Sequence, residues 1–357
     1  MSPDNTSPPI DAALFGSLPK VELHCHIEGT MRPATVEDLA RRNGIVMPTD
    51  DVTALYDYED LTGFLEVFWL VQSTLATPED WERLAYESIV DGAEHGLVYR
   101  ETFFTPARHL AGGQRLGDIV AALDRGLTAA ERDTGTQARL IFDIDRDFGP
   151  DVAVEHVAAL VGLKRSGDAA ADRVIGIGMD STEIGMDPLS FREAYSMAPG
   201  VGLRRTAHQG ENSPASTVTA ALDGLGCERI DHGISVFEDA ELVARIVDEQ
   251  IPLTVCPHAN VLINPDVFGS IADHVFPRMR AAGILATLNT DDPAMVGLDL
   301  TKEYAQCAAA FGYSVVDMVE IALDGVRGSW LDPSDAASVS STISEAAASM
   351  ASVPPST

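Results

Sequence analysis

Short apolar segments alternate along this chain with longer stretches in which apolar residues recur at spacings of three and four. The alternation predicts a parallel sheet with crossover helices, because only a crossover of a dozen or more residues can join parallel neighbours. Eight strands close a barrel, so the predicted fold is a (β/α)₈ TIM barrel of the α/β class. The predicted strands are 20–26, 97–104, 138–144, 173–180, 204–208, 228–232, 252–257 and 284–290, and helical patterns include 218–225, 239–249, 271–282 and 302–330.

The segment between the first two strands is too long for a simple crossover. Residues 61–76 read as a helix that carries Phe64, Phe68 and Trp69. Ordinary helix packing accounts for these aromatic residues, but an insertion at this point overhangs the mouth of a barrel. We therefore predict a helical lid after strand 1.

The predicted domain organisation is simple. Residues 1–17 form a disordered N-terminal arm, 18–337 form a single barrel domain, and 338–357 form a solvated Ala/Ser-rich tail. A barrel of this length is common as one domain.

Composition excludes several classes of partner. The formal net charge of −31 repels phosphate backbones and anionic membrane surfaces, so we expect neither nucleic acid nor membrane as a partner. The N-terminus lacks the basic and apolar regions of a signal peptide, which favours a cytoplasmic protein. The four cysteines lack Cys-x-x-Cys spacing, so we expect them to be reduced and mostly buried. A small-molecule substrate fits this profile, and oligomeric state stays open.

Polar residues stand where several predicted strands end. The C-terminal ends of barrel strands carry the chemistry of such folds, and residues at i and i+2 of a strand point to the same side. A single histidine at a strand end is more often an ordinary polar residue. Three histidines and one carboxylate together suit zinc with one open position, and Fe²⁺ is an alternative. These residues are His24, His26, His208 and Asp291.

An open zinc site makes a nucleophile, because bound zinc lowers the pKa of water from about 15.7 to about 7. Glu211 is a candidate proton donor and His232 a candidate proton acceptor, although a rim carboxylate and a structural histidine are the simpler readings. Asp292 either bonds a substrate nitrogen or caps the next helix. No lysine lies at the end of a later strand to bridge two metals, so we predict one ion per chain.

Four segments of the chain resemble the signature motifs of the adenosine and adenine deaminase family. They are Leu23-His-Cys-His-Ile-Glu-Gly29, Thr206-Ala-His-Gln-Gly-Glu211, Arg229-Ile-Asp-His-Gly233 and Leu288-Asn-Thr-Asp-Asp-Pro293. The resemblance implies a zinc-dependent barrel hydrolase that replaces the 6-amino group of a purine by oxygen. It also implies that His24, His26, His208 and Asp291 bind the metal, that Glu211 protonates ring N1, that His232 assists the attacking water, and that Asp292 bonds N7.

The choice of purine depends on fewer residues. Glu28, where nucleoside-specific members have aspartate, and the segment 178–185 resemble the adenine deaminase branch, which implies conversion of adenine to hypoxanthine and ammonia. Adenosine or another 6-aminopurine is the alternative. Gln209 and His258 depart from the branch pattern. The predicted substrate-binding residues are Glu28, Asp180, Ser181, Glu183, Asp292, Phe64 and Phe68.

Two further alternatives keep the barrel and change the chemistry. A metal-dependent phosphoesterase needs a basic phosphate pocket, which the scarcity of lysine disfavours. A catalytically inactive purine-binding protein is expected to lack a ligand or the acid, and here all are present.

Overall fold

The computed structural model describes residues 12–58 and 61–351, and within them nine strands and fifteen α-helices. The strands are β1 Lys20–Glu22, β2 Leu97–Phe104, β3 Gln137–Asp145, β4 Val174–Asp180, β5 Arg204–Arg205, β6 His208–Gln209, β7 Ile230–His232, β8 Leu253–Val255 and β9 Ala286–Leu288. The helices are α1 Ala12–Ser17, α2 Pro33–Asn43, α3 Leu61–Ser73, α4 Pro78–Glu94, α5 Ala107–Ala111, α6 Leu116–Thr134, α7 Gly149–Ser166, α8 Arg192–Met197, α9 Ala215–Ala220, α10 Ala240–Glu249, α11 Pro257–Ile263, α12 Phe276–Ala281, α13 Leu300–Phe311, α14 Val315–Gly328 and α15 Pro333–Ala351.

All strand pairs are parallel, in two sheets of order β1-β2-β3-β4-β5 and β6-β7-β8-β9. The two sheets are consecutive parts of one barrel wall, because β5 and β6 are two segments of its fifth strand. On the opposite side, Cys25 forms a parallel bridge with Asp291, and the His26 amide donates to the Asp291 carbonyl at 2.9 Å. The result is the predicted (β/α)₈ barrel with eight strand positions.

The fifth strand is interrupted because its hydrogen bonding changes sides. The Thr206 amide donates to the Ile177 carbonyl of β4 at 3.0 Å, whereas the Ala207 carbonyl accepts from the Asp231 amide of β7 at 3.0 Å. The predicted strand 204–208 therefore exists as two short segments.

The predicted helical stretch 302–330 is two helices. Gly312 ends α13 in a left-handed conformation, with φ of 68°, and Ser314 begins α14 through a capping box with Asp317. The 239–249 pattern is confirmed as α10, whose first turn is capped by the Asp239 carboxylate. The other two patterns mix helix types: 218–225 passes from α9 into a π-helical turn, and 271–282 begins with a 3₁₀ turn before α12.

Both predicted terminal boundaries need correction. Residues 12–17 form α1, whose Phe15 is fully buried, so the disordered arm is wrong for this part and its first eleven residues lie outside the described chain. The helix α15 runs through residue 338 and buries Ile343 completely in the core, so the solvated tail is wrong for 338–351. Val339 and Met350 of the same helix also pack against the core. Residues 352–357 lie outside the described chain.

The insertion after strand 1 contains α3, as predicted. Its Phe64 and Phe68 rings stack with centroids 5.8 Å apart and pack with Met295 in a small apolar cluster. Its Trp69 lies 3.9 Å below the Arg108 guanidinium, which belongs to α5. Among the described residues, no helix is long and apolar enough to span a membrane.

Candidate active site

The four predicted metal ligands meet at one end of the barrel. His24 and His26 follow β1, His208 begins β6, and Asp291 follows β9. The nearest atoms are 3.1 Å apart between His26 Nε2 and His208 Nε2, and 3.3 and 3.4 Å between Asp291 Oδ1 and the Nε2 atoms of His24 and His26. All four side chains are buried. The barrel thus gathers side chains that the sequence separates by more than 260 positions.

The spacing fits a small cation. Bonds of about 2.0–2.1 Å in a tetrahedron place neighbouring donor atoms about 3.3 Å apart, and the observed separations match this edge. The Nε2 atom of His24 is fully buried and has no hydrogen-bond partner in the described structure. Burying a polar atom without a partner is costly, and a metal–nitrogen bond removes that cost.

Each imidazole of the cluster has a neighbour on its far side. His24 Nδ1 lies 3.0 Å from the Thr254 hydroxyl and 3.2 Å from the Thr254 carbonyl. His208 Nδ1 lies 3.8 Å from Asp231, which accepts the Thr254 hydroxyl at 2.7 Å. Hydrogen bonds such as that of His24 fix the tautomer and the ring orientation of metal-binding histidines, whereas His208 Nδ1 has no hydrogen-bond partner in the described structure.

The far side of His26 faces a buried carboxylate. His26 Nδ1 lies 3.9 Å from Asp143 Oδ2, and both Asp143 oxygens have no hydrogen-bond partner in the described structure. A Cβ atom at Gly178 would lie 2.1 Å from Asp143 Oδ1, so a glycine is required for this approach. Burial holds the pKa of Asp143 well above its ordinary value.

Backbone strain is concentrated at the same strand ends. Ser181 after β4, His232 at the end of β7 and Asp291 after β9 have φ of 68°, 67° and 66°. Left-handed backbone costs a non-glycine residue on the order of 1–3 kcal/mol, and such strain clusters at functional sites. The side chains of all three residues line the same cleft at this end of the barrel.

Glu211 and His232, the predicted acid and base, lie side by side. Glu211 Oε2 is 3.7 Å from His232 Nε2. Burial first, and then the negative charges of Asp291 and Glu183, raises the pKa of Glu211 well above its ordinary value. A protonated carboxyl group near neutral pH is what a proton donor to a ring nitrogen requires.

Asn260 joins these two residues, and the sequence analysis gave it no role. It is fully buried on α11, and its amide nitrogen lies 2.7 Å from Glu211 Oε1 and 3.1 Å from His232 Nδ1. Its amide oxygen lies 3.3 Å from His274 Nε2. The only sequence signal was an asparagine at the end of the Cys-Pro-His-Ala-Asn260 segment after the seventh strand.

Asp292 also lies at this end of the barrel. Its Oδ1 is buried without a hydrogen-bond partner in the described structure, and Gly29 approaches so closely that a Cβ there would lie 1.8 Å from that oxygen. The next helix is capped by Asp299. Asp292 is therefore not the cap of that helix, and its contact with a substrate stays a prediction.

The mouth is a cleft of about 580 Å³ that opens to solvent. Six of the seven predicted substrate-binding residues line it together with candidate ligand and catalytic side chains: Phe64, Phe68, Asp180, Ser181, Glu183 and Asp292. Asp180 accepts the Thr105 hydroxyl at 2.6 Å, and burial raises its pKa to about 8.

Glu28 lies behind the wall of the cleft. It is fully buried, does not line the cleft, and its Oε1 accepts the Thr105 amide at 2.9 Å. Its short 3₁₀ turn directs the side chain toward the end of β2. Glu28 Oε2 has no hydrogen-bond partner in the described structure, and the predicted contact between Glu28 and a substrate stays a prediction.

Glu183 lines the cleft but uses its carboxylate elsewhere. It accepts the amides of Gly210, Glu211 and Asn212 at 2.8, 3.2 and 3.4 Å, and the Ser213 hydroxyl as well. Four donors occupy its oxygens, so the structure shows it holding the loop that carries Glu211. Its direct substrate contact stays a prediction.

His258, predicted at the rim, turns away from the cleft. Its Nδ1 lies 2.6 Å from Glu303 and its Nε2 lies 2.6 Å from Gln306, both on α13. The ring therefore joins α11 to α13 and does not line the cleft.

Comparison with known proteins places this geometry in a family. The adenosine deaminase family model matches residues 19–346. The chain belongs to the adenosine deaminase family. An adenine deaminase of Streptomyces coelicolor is 40% identical over 330 residues, which cover 91% of this chain and 93% of that protein.

Solved structures agree with the family assignment. The adenine deaminase of Arthrobacter aurescens has a TM-score of 0.86 at 35% identity and covers 92% of this chain and 99% of its own. An amidohydrolase from Burkholderia ambifaria, solved with bound zinc, has a TM-score of 0.87 at 32% identity and covers 98% of each chain. This adenosine deaminase family member thus shares its fold with a zinc-bound neighbour and has its own cluster of possible metal ligands.

Proposed function

We propose that this enzyme hydrolyses adenine to hypoxanthine and ammonia at a site that holds one zinc ion per chain. The observation that carries the proposal is the meeting of His24, His26, His208 and Asp291 at tetrahedral spacing, with Glu211 and Asp292 lining the same cleft. The 40% identical relative named adenine deaminase supports the choice of substrate. A bound divalent cation supplies a hydroxide nucleophile at neutral pH.

Side chains of the protein then transfer the protons and orient the purine ring. Glu211 gives its proton to ring N1 while the oxygen of water bonds to C6. Asp292, with one oxygen unpartnered, bonds N7 and orients the ring. The C6–N6 bond breaks and the amino group takes one of the two water protons to leave as ammonia, while the other water proton restores Glu211. Each adenine thus consumes one water and yields one hypoxanthine and one ammonia.

The negative charge of the cleft favours an uncharged purine as the substrate. Four carboxyl groups line it, those of Asp180, Glu183, Asp291 and Asp292, in addition to Glu211, and no described residue of the lining is lysine or arginine. A phosphate group would meet repulsion without a cationic partner. This disfavours both a nucleotide substrate and the phosphoesterase alternative.

The outer part of the cleft supports a free base over a nucleoside. Phe64, Leu65, Phe68 and Ile263 form its apolar wall, and such side chains offer no hydrogen bonds to ribose hydroxyls. A site without those contacts leaves buried hydroxyls unpaired, which costs about 1–3 kcal/mol each. We expect kcat/KM for adenine to exceed that for adenosine at least about tenfold.

Ammonia release from a panel of purines tests the proposal. Zinc-loaded protein should act on adenine in preference to adenosine, N6-substituted adenines and AMP. Equal or reversed preference for adenosine would overturn the free-base assignment, and release from none of the purines would overturn the deaminase assignment. The cytoplasmic location and a preference for zinc over Fe²⁺ stay predictions.

A further inference from the structure

One buried amide contacts both the acid and the histidine of the site. Asn260 lies 2.7 Å from Glu211 Oε1 and 3.1 Å from His232 Nδ1 through the same atom, Nδ2. An amide nitrogen only donates, and an amide oxygen only accepts. The orientation of this amide therefore decides where the protons of its two partners lie.

A backbone amide fixes that orientation from outside the site. The Phe276 N–H donates to His274 Nδ1 at 3.1 Å, and a backbone N–H has no acceptor role. His274 is 4% exposed, and burial lowers its pKa to about 3, so the ring is neutral. A neutral imidazole that accepts at Nδ1 carries its one proton on Nε2.

The protonation of His274 in turn determines the orientation of the Asn260 amide. His274 Nε2 lies 3.3 Å from Asn260 Oδ1, so the N–H of His274 donates to the amide oxygen. The amide nitrogen then directs its two hydrogens to Glu211 and His232. The reversed amide would place NH₂ against the N–H of His274, with donor facing donor in a fully buried position.

We propose that Asn260 and His274 are positioning residues that hold His232 in the tautomer with its proton on Nε2. The tautomer follows because His232 Nδ1 accepts from Asn260. Glu211 Oε2 lies 3.7 Å from His232 Nε2, so the N–H of His232 is on the edge of the ring that adjoins Glu211.

This assignment changes the part that His232 plays. The sequence analysis predicted a proton acceptor, yet a neutral imidazole protonated at Nε2 cannot accept a proton there. His232 instead donates a hydrogen bond from Nε2 to an oxygen beside it. Its part in catalysis rests on the proposed deaminase function, whereas the tautomer does not.

Nitrogen-15 NMR of the histidine side chains tests the tautomer directly. In zinc-loaded protein labelled at histidine, the long-range spectrum should show His232 with an unprotonated Nδ1 and a protonated Nε2. The resonance is identified by its absence in the His232→Asn variant. A proton on Nδ1 in the wild-type protein would overturn the proposal.

The variant His274→Phe removes the donor to Asn260 and keeps the ring that lies 4.8 Å from Phe268. We expect protonation of His232 Nδ1 to appear, kcat for adenine to fall about tenfold, KM to change less than about twofold, and zinc content to be unchanged. An unchanged tautomer with kcat within twofold of wild type would contradict the positioning role of His274. If this variant does not fold, Asn260→Asp replaces the donor by an acceptor and should place the proton on Nδ1.

His258→Gln is the matched control, since His258 lies on the same helix and faces α13. It should leave the His232 tautomer unchanged, and a shift equal to that of His274→Phe would count against a specific effect. Because NMR reads the tautomer without turnover, a wild-type protein that shows the expected tautomer but releases no ammonia would overturn the proposed function alone.

Discussion

His24, one histidine of the candidate metal cluster, is held by hydrogen bonds on the side away from the cluster. One ring nitrogen faces the cluster, and the other faces Thr254. The orientation of the His24 ring is therefore determined by the protein before any ion binds, and pre-organisation of this kind lowers the entropy lost on binding. The role of each side chain can be tested one at a time.

The variant His208→Ala removes one of four donor atoms. We expect the metal content to fall well below one ion per chain and turnover to be abolished, because three ligands bind a divalent ion less tightly. Metal analysis and ammonia release measure the two effects. His156→Ala on α7 is the control and should keep both, whereas full metal and full activity in His208→Ala would exclude His208 from the site.

The variant Glu211→Gln keeps the size of the side chain but loses the acidic proton. We expect metal content to be unchanged and kcat to fall by about 10²-fold or more. Steady-state kinetics with adenine measure this, with Glu241→Gln on α10 as the control. If kcat stays within a few-fold of wild type, another group donates the proton.

At the scale of elements, the loop that joins β6 to α9 depends on a residue from another strand. Glu183 follows β4 and binds three amides and one hydroxyl of that loop. Charge-assisted hydrogen bonds of this kind are stronger than neutral ones. The position of Glu211 thus depends on contacts between two neighbouring strand ends.

We expect Glu183→Gln to disturb this loop, because glutamine offers one acceptor oxygen where four donors converge. The free energy of unfolding should fall by about 1–3 kcal/mol, and kcat should fall about tenfold or more. Urea unfolding and steady-state kinetics measure the two effects, with the exposed Glu193→Gln on α8 as the control. A rise in KM alone, with kcat and stability unchanged, would instead show direct contact with the substrate.

The sequence predicted the elements whose pattern is local. The strands β2, β3 and β4 are long, continuous and mostly buried, and the prediction found them within one residue at nearly every end. The fifth strand was predicted as unbroken because its change of partner at Thr206 depends on β4 and β7, which no local pattern shows. The helix α15 was missed because Ile343 is one apolar residue among many small ones.

The same distinction holds for the site. The meeting of the four candidate ligands was predictable because each lies near the C-terminal end of one of the eight strand positions, and a parallel barrel brings such ends together. Asn260 and His274 were not, since their roles come from contacts across fourteen residues and between separate loops. The burial of Glu28 behind the cleft wall was not predictable either, because sequence position near a candidate ligand does not show which way a side chain turns.

At the scale of the whole molecule, buried neutral histidines make stability depend on pH. His109 is 6% exposed, its ring packs 4.7 Å from that of Trp81, and burial lowers its pKa to about 4. In the unfolded chain the ordinary value is about 6.5. Between these two values the unfolded state binds more protons, so acid favours unfolding.

The contribution of His109 is therefore fully present above pH 6.5 and is lost as the pH falls toward 4. The loss is at most about 3 kcal/mol. We expect His109→Gln to weaken the decline in stability over this interval, as measured by urea unfolding at successive pH values. Parallel declines for the two proteins would contradict the effect.

The central claim is that one metal ion at one cluster supports hydrolysis of adenine. Its most direct test is titration of metal-free protein with zinc while ammonia release from adenine is measured. Activity should rise in proportion to added zinc and level off at one equivalent per chain. Full activity before zinc is added, or no ammonia at one equivalent of bound zinc, would contradict the claim.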